Sequence, residues 1–298
     1  MGCKKLVTFD FVEGNYILKM TKENQAKDLV KVKIGISKDS NIVYRNEMNT
    51  IKFPNFSAMD FNLFFTICYF GIKRNYKRKT LRGVKIKFSD LRIFLPQMKN
   101  KKRFFDEIAK FVKYKLKLVG VDSIEYDEMA QEDGTMKDLD NGKRKLKGAV
   151  FIKNYILDEE KEELYLEFTP YAYSMLNEFG NFMSFDMNEF CSFENKYTKS
   201  LFRLLKQYEN SNFYADKENP SIKAISMTKG EFIKFMDTPS NYKMSQLDCF
   251  VVIPSLKELN GKSSSFKNLT YEKLYTWNNE RKKVTGFQFV FEKRTIKN

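Results

Sequence analysis

The same order of predicted elements occurs twice along this chain: a helix, a short helix, a turn, another helix and a β-hairpin. In the first copy the leading helix begins near Ser57, and the hairpin turns around residues 158–161. In the second copy the leading helix carries Tyr197 and Leu201 on one face, and the hairpin turns around residues 278–281. A helix-turn-helix backed by a β-hairpin is a winged helix. We therefore predict an α+β protein with two tandem winged-helix domains.

Local signals set the expected element boundaries. We predict that the first helix ends at Gly71, that Ser89 caps a short helix, and that a third helix follows Asn100. Residues 122–147 are predicted to form an exposed polar loop. Three helix starts show a Ser or Thr followed three residues later by an acid, which is the capping-box pattern: Ser57 with Asp60, Thr228 with Glu231, and Ser245 with Asp248.

The chain has 298 residues, a length that fits two domains of ordinary size. The two copies of the element order place the division between them near residue 185. We therefore predict an N-terminal extension (1–44), a first winged-helix domain (45–185) and a second winged-helix domain (186–298).

Positive charge is concentrated in two regions of a chain with a net charge of +15. Residues 71–119 hold 17 Lys and Arg against 3 Asp and Glu, and residues 191–298 hold 19 against 11. Between them, residues 122–167 hold 7 against 14. An incidentally basic surface is one interpretation. The other is a polyanionic partner, and DNA phosphates favour both basic regions because binding releases counterions.

The chain contains no histidine. This absence excludes Ser-His-Asp and Cys-His catalysis, His-ligated zinc and nucleases that hold a metal with paired histidines. Its four cysteines are far apart and form no CxxC pair, so we expect no zinc knuckle and no redox motif. With no secretion signal or membrane-length apolar run, we expect a cytoplasmic protein with reduced thiols.

Four C-terminal segments follow one another at defined spacings: YTKSLFRLLKQYE, a short capped helix, a helix ending in IPSLKELN, and KKVTGFQFVFEK. Their order resembles that of the iteron-binding initiator replication proteins of theta-replicating plasmids, closely over roughly 190–292 and more loosely over roughly 45–180. The resemblance implies monomers that bind directly repeated origin sequences, melt adjacent AT-rich DNA and recruit the host initiator and replicative helicase. It also implies homodimers, joined through the first winged helix, that act as autorepressors or inactive stores.

The helix that we predict to begin at Ser245 is the recognition helix of the second winged-helix domain, and it is the strongest candidate site. Its N-terminal turn should enter the major groove, where side chains meet base edges. Gln246 has an amide whose oxygen and NH2 group can both pair with adenine, and Lys243 can reach guanine or a phosphate. Ser245 is either a base contact or a plain helix cap. We assign Leu247, Phe250 and Val251 to the core, and the predicted contacts are Asn241, Lys243, Ser245 and Gln246.

Other basic residues are predicted to contact phosphates, which set the register without reading sequence. For the basic residues on the leading helix of the second domain, the alternative explanation is a polar helix face that is simply exposed to water. Those at the first domain's helix start oppose the helix dipole, so local stability does not explain them. The predicted contacts are Lys196, Lys199 and Arg203 on the leading helix, Arg281, Lys282 and Lys283 on the wing, and Lys99, Lys101, Lys102 and Arg103 in the first domain.

Together these features predict a non-enzymatic plasmid replication initiator that needs no cofactor or metal. Its two winged helices would occupy successive major grooves about 10 bp apart. A winged-helix transcription repressor without a replication role is one alternative. A carboxylate-dependent nicking enzyme is the other.

Overall fold

In a computed structural model of the chain, capped helices and strands of alternating burial form two similar units, one after the other. The structure describes residues 7–12, 15–20, 31–32, 40–51, 53, 55–75, 83–95, 98, 100–116, 119–123, 147–177, 181–212, 214–278 and 281–294. The predicted polar loop at 122–147 lies almost entirely outside the described residues. A three-stranded sheet precedes both units and is formed by β1 (Val7–Val12), β2 (Asn15–Met20) and β3 (Lys31–Val32).

The first unit contains four helices and seven strands in the described part of the chain. The strands form three separate small sheets. In chain order the elements are β4 (Asn41–Arg45), α1 (Ala58–Asn75), β5 (Val84–Lys87), α2 (Phe88–Arg92), α3 (Lys101–Tyr114), β6 (Gly120–Ser123), β7 (Lys147–Val150), β8 (Ile152–Asp158), β9 (Glu163–Phe168), α4 (Pro170–Asn177) and β10 (Phe182–Asp186).

The second unit follows a short connecting helix, α5 (Met187–Ser192). Its last three helical segments form one continuous helix, residues 244–262, which we call the recognition helix. In chain order the elements are α6 (Lys196–Tyr208), β11 (Ile222–Thr228), α7 (Lys229–Met236), α8 (Met244–Leu247), a π-helical turn (Asp248–Val252), α9 (Ile253–Lys262), β12 (Phe266–Asn278) and β13 (Arg281–Lys293).

The two units share one sheet topology. The strand order is β5-β9-β8 in the first unit and β11-β13-β12 in the second. In each unit the strand that precedes the helix pair joins the second strand of the hairpin. Repetition of this pattern confirms the predicted tandem winged helices. The strands β5 and β11 were missed, although Val84 and Ile86 alternate with lysines in the way that a half-buried strand requires.

Several helix starts agree with the predicted caps. Asn100 accepts a hydrogen bond of 2.9 Å from the backbone N–H of Arg103, and so caps α3. Thr228 and Glu231 form the predicted capping box of α7. The short helix begins at Phe88 and not after Ser89, with Lys87 in the capping position.

The first helix does not end at Gly71, as predicted, but continues to Asn75. A Cβ atom on Gly71 would lie 2.5 Å from the Phe168 ring. Glycine here leaves room for the Phe168 ring of β9, and it does not terminate the helix.

Buried aromatic rings connect the two units. The Phe202 ring on α6 lies 5.6 Å from Phe185 of β10 and 5.7 Å from Phe266 of β12 (centroid distances). Every residue from Tyr197 to Leu205 is buried, so α6 presents no solvated face over these two turns. Within the ranges given above, no helix is long and apolar enough to cross a membrane. The domain boundary that we place at residues 185 and 186 stays a prediction.

Candidate nucleic-acid interface

The recognition helix begins with a cap that differs from the predicted one. The backbone N–H of Lys243 donates a hydrogen bond of 2.8 Å to Oε1 of Gln246, so the helix starts at Met244. Ser245 lies inside the first turn and is not the cap. Asn241, Lys243 and Ser245 are exposed, whereas Gln246 is half-buried. The cap bond occupies one of the two acceptor positions of the Gln246 amide oxygen, and pairing with adenine would use the other together with the amide NH2 group.

The middle of the recognition helix widens into a π-turn just before Pro254. Proline has no backbone N–H and cannot donate to the carbonyl four residues earlier, so the hydrogen-bond ladder must change there. A π-turn absorbs this change without ending the helix, and such turns occur often at functional sites. The helix therefore passes through Pro254 with a local widening.

The outward face of the recognition helix carries apolar side chains. Phe250 is 54% exposed and Ile253 is 52% exposed, and the exposed Cys249 and Lys257 lie on the same face. Our assignment of Phe250 to the core was therefore wrong, while Leu247 and Val251 are fully buried as predicted.

The hairpin β12–β13, which we call the wing, is attached directly to the recognition helix. Asp248 accepts hydrogen bonds from the Tyr271 hydroxyl, at 2.9 Å, and from the Lys273 ammonium. Burial, together with the bond to Asp248, raises the pKa of Tyr271 to about 12. Both strand residues therefore hold the wing at a fixed place beside the helix.

The wing tip combines cations with exposed aromatic rings. Lys282 Nζ lies 3.9 Å from the centroid of the Tyr275 ring, and Lys283 is exposed on the same strand. Trp277, directly opposite Lys282 in the strand pair, is 72% exposed. Arg281 begins β13, and its side chain lies outside the described residues. The position of the two lysines agrees with the predicted phosphate contact, which stays a prediction.

Two of the three basic residues predicted on α6 cannot contact a phosphate. Lys199 is completely buried, with Nζ donating a hydrogen bond of 2.5 Å to the carbonyl of Phe190. Burial lowers the pKa of Lys199 to about 8. Arg203 is 2% exposed. The predictions for Lys199 and Arg203 were wrong because α6 packs between the two units. Lys196, in the first turn, is half-buried and lies 4.7 Å from the Tyr197 ring.

Arg203 instead connects α6 to the segment before α1. Its guanidinium donates to the Tyr44 hydroxyl at 3.2 Å, to the Met48 carbonyl at 3.1 Å and to Asn49 Oδ1 at 2.6 Å. The same group lies 5.1 Å from the centroid of the Phe65 ring. These contacts satisfy a buried charge, which makes Arg203 a structural residue.

In the first unit the start of α3 meets an acidic residue. Lys101, Lys102 and Arg103 are exposed, but Lys101 Nζ forms a 2.8 Å ion pair with Glu162 of the β8–β9 turn. The hydrogen bond from Lys101 lowers the pKa of Glu162. The acidic hairpin tip therefore lies against the predicted DNA contact. Lys99, which was predicted to contribute to this contact, lies outside the described residues.

Two family profiles match the sequence. One describes the WH1 domain of initiator replication proteins and matches residues 41–206. The other describes the WH2 domain of initiator Rep proteins and matches residues 228–291. The first match alone spans more than half of the chain. The chain belongs to the initiator replication protein family.

This initiator shares its fold with a solved initiator structure. The Pi initiator protein, crystallised in complex with iteron DNA, superposes with a TM-score of 0.58 at 15% sequence identity. The match covers 87% of this chain and 99% of the Pi chain. Two crystal structures of RctB domains 2 and 3 give TM-scores of 0.40 and 0.38 at 9% and 12% identity, covering 97% and 98% of this chain and 92% of each RctB chain. No curated protein sequence matches this initiator significantly.

Sequence reasoning missed three exposed residues of this initiator: Phe250, Ile253 and Trp277. A signal was present for the first two, because residues 246, 250, 253 and 257 recur at the spacing of one helix face. The Trp277 signal was its position one residue before the predicted wing turn. In each case the apolar residue type favoured a core assignment over an exposed one.

Proposed function

We propose that this initiator starts plasmid replication by binding directly repeated duplex DNA at the origin through its two winged helices. The observation that carries the proposal is the exposed outward face of the recognition helix, with the wing held beside it by Asp248. Binding free energy, and not bond chemistry, drives the proposed mechanism.

The geometry of the second unit suits a DNA duplex. A helix with its side chains is about 10–12 Å across, and the major groove of B-DNA is about 12 Å wide. The exposed Asn241, Lys243 and Ser245 stand at the end of the helix that would enter the groove first. Lys282 and Lys283 on the wing would then follow the adjacent backbone or minor groove, where narrow AT-rich DNA attracts cations.

The repeated architecture suggests how several copies would act. Two winged helices on one face of the duplex would occupy successive major grooves, about 10 bp apart. Copies crowded on neighbouring repeats would strain the adjacent AT-rich DNA, whose pyrimidine–purine steps deform readily. The complex of the similarly folded Pi initiator with iteron DNA supports the repeated origin sequence as the ligand of this chain as well.

The remaining parts of the proposal concern partners. We propose that the DNA-bound monomer recruits the host initiator and replicative helicase in the cytoplasm. A homodimer joined through the first winged helix, in equilibrium with the monomer, would repress the gene and limit copy number. No cofactor or metal is needed for these steps.

A transformation assay tests the proposal. A plasmid that carries this gene, its upstream repeats and a selectable marker, but no other replicon, should establish itself in cells. The matched plasmid with a stop codon in the gene should fail, and footprinting should show protection of the repeats. Protection without establishment would indicate a transcription repressor. Nicking of supercoiled origin DNA in Mg²⁺, abolished by one carboxylate substitution, would indicate an enzyme.

A further inference from the structure

Phe250 and Ile253 are exposed on a helix whose other large apolar side chains are buried or half-buried. Ring and branched side chains of this size are normally removed from water when the fold allows it. The Phe250 ring lies 6.1 Å from the ring of Tyr242, which is half-buried. The core side of the same helix is complete without them and consists of Leu247, Val251, Val252, Ser255 and Leu259.

Polar and cationic groups flank the two apolar side chains on the same face. Lys243 and Gln246 precede them, and the exposed Lys257 follows one turn after Ile253. A face that is cationic at both ends and apolar in the middle fits a polyanion that presents apolar groups at its centre. The major groove has this arrangement, because phosphates line its edges and the C5-methyl group of thymine projects into it.

We infer that Phe250 and Ile253 contact thymine methyl groups in the major groove and thereby select thymine within each bound repeat. This inference rests on the proposed binding of repeated duplex DNA. Cytosine presents no methyl group at this position, so the contact discriminates a T·A pair from a C·G pair.

The spacing along the helix also limits where the thymines lie. Ile253 follows Gln246 by seven residues, or about 10 Å at 1.5 Å per residue. This distance corresponds to about three base pairs at 3.4 Å each. If Gln246 pairs with adenine, thymines that contact Phe250 and Ile253 should lie within about three base pairs of that adenine.

A change in the DNA alone tests the inference without altering the protein. The probe is a duplex with one copy of the footprinted repeat, in which each thymine is replaced in turn by deoxyuridine. Uracil keeps every hydrogen-bonding group of thymine and lacks only the methyl. At one or more positions the full-length protein should bind about fourfold more weakly, the fold-change that corresponds to about 0.8 kcal/mol for one buried methylene-sized group.

Substitutions then identify the residues that read the methyl. Phe250→Ala and Ile253→Ala should each bind the thymine and uracil duplexes equally at the position that the side chain contacts. Ile156→Ala is the matched control, because Ile156 is 62% exposed on β8 of the first unit. It should keep the fourfold preference for thymine.

The outcomes separate this inference from the proposed function. Equal binding of all uracil duplexes and the unmodified repeat would overturn the inference, while repeat binding itself would still stand. A fourfold preference retained by both alanine variants would overturn it too, because another residue would then read the methyl. If an alanine variant lost binding to a protein partner while its DNA affinity was unchanged, the apolar face would belong to that partner, and the inference would be overturned. Failure to prefer the repeat over a shuffled duplex would instead contradict the proposed function.

Discussion

Nη2 of Arg203 donates a hydrogen bond of 2.6 Å to Oδ1 of Asn49, 154 residues away in the sequence. The contact is buried and ties α6 to the segment that precedes α1 of the first unit. Asn49 in turn donates to Gln207 at 2.7 Å, so the same side chain contacts two residues of α6. The two winged helices are therefore joined by a buried polar connection as well as by aromatic contacts.

Replacing Asn49 should weaken this connection. Asn49→Ala leaves a buried guanidinium without one acceptor, so we expect the free energy of unfolding to fall by about 1–3 kcal/mol. Urea denaturation followed by circular dichroism measures the change. Thr50→Ala, at the neighbouring exposed residue, should stay within about 0.5 kcal/mol of wild type. Equal stabilities of the two variants would show that the Arg203 contact is not important for joining the units.

Lys199 should make stability depend on pH. Its pKa is about 8 in the folded protein and near 10.5 when unfolded, so the unfolded chain binds more protons between these values. Stability then rises with pH across this window, because deprotonation removes a buried charge.

Lys199→Met lacks this charge, so its stability does not have this pH dependence. From pH 8 to pH 10.5, the free energy of unfolding of wild type should therefore rise relative to that of Lys199→Met by up to roughly 3 kcal/mol. The comparison is a pair of urea titrations at each pH. Lys217→Met, at an exposed lysine, serves as the control, and its difference from wild type should not change. A constant difference for Lys199→Met would contradict the buried charge.

Glu162 should restrain DNA binding by the first unit. The Glu162→Gln change releases Lys101 from an ion pair at the protein surface, where such pairs are weak. We therefore expect affinity for random duplex DNA at low salt to be modestly higher for Glu162→Gln than for the Glu160→Gln variant. Glu160 lies on the same exposed turn, so both variants gain the same charge. Identical affinities of the two variants would place the start of α3 away from DNA.

The wing should contribute through electrostatic contact. Lys282→Ala or Lys283→Ala should each lower the slope of log affinity against log salt by about one, because one fewer counterion is released. Trp277 is the only tryptophan in the chain, so its fluorescence reports directly on the wing and should change when duplex DNA binds. Lys217, near the opposite end of the hairpin, provides the control variant Lys217→Ala. Unchanged salt slopes in both lysine variants, with unchanged Trp277 fluorescence, would show that the wing does not contact DNA.

The tandem fold was predictable because its signals are local. Periodic apolar residues and capping boxes such as Thr228 with Glu231 determine helices and strands from residues that are close in the sequence. The roles of Lys199 and Arg203 were not, because a helical pattern with lysines on one face normally has that face in water. Here α6 is enclosed by both units, and only tertiary packing determines that. The start of the recognition helix was misplaced for a related reason. Asp248 was expected to complete a cap with Ser245, but it is held by Tyr271 and Lys273 of the wing, 23 and 25 residues later in the sequence.

Discrimination between DNA sequences by Gln246 tests the central claim most directly. The measurement is the ratio of affinities for the footprinted repeat and a shuffled duplex at one fixed salt concentration. Gln246→Ala should lower this ratio by the equivalent of about 1–3 kcal/mol and leave affinity for the shuffled duplex unchanged. Gln246→Glu keeps an acceptor for the Lys243 N–H but cannot donate to adenine, so it should lower the ratio as well. An unchanged ratio in both variants would contradict sequence recognition by this helix.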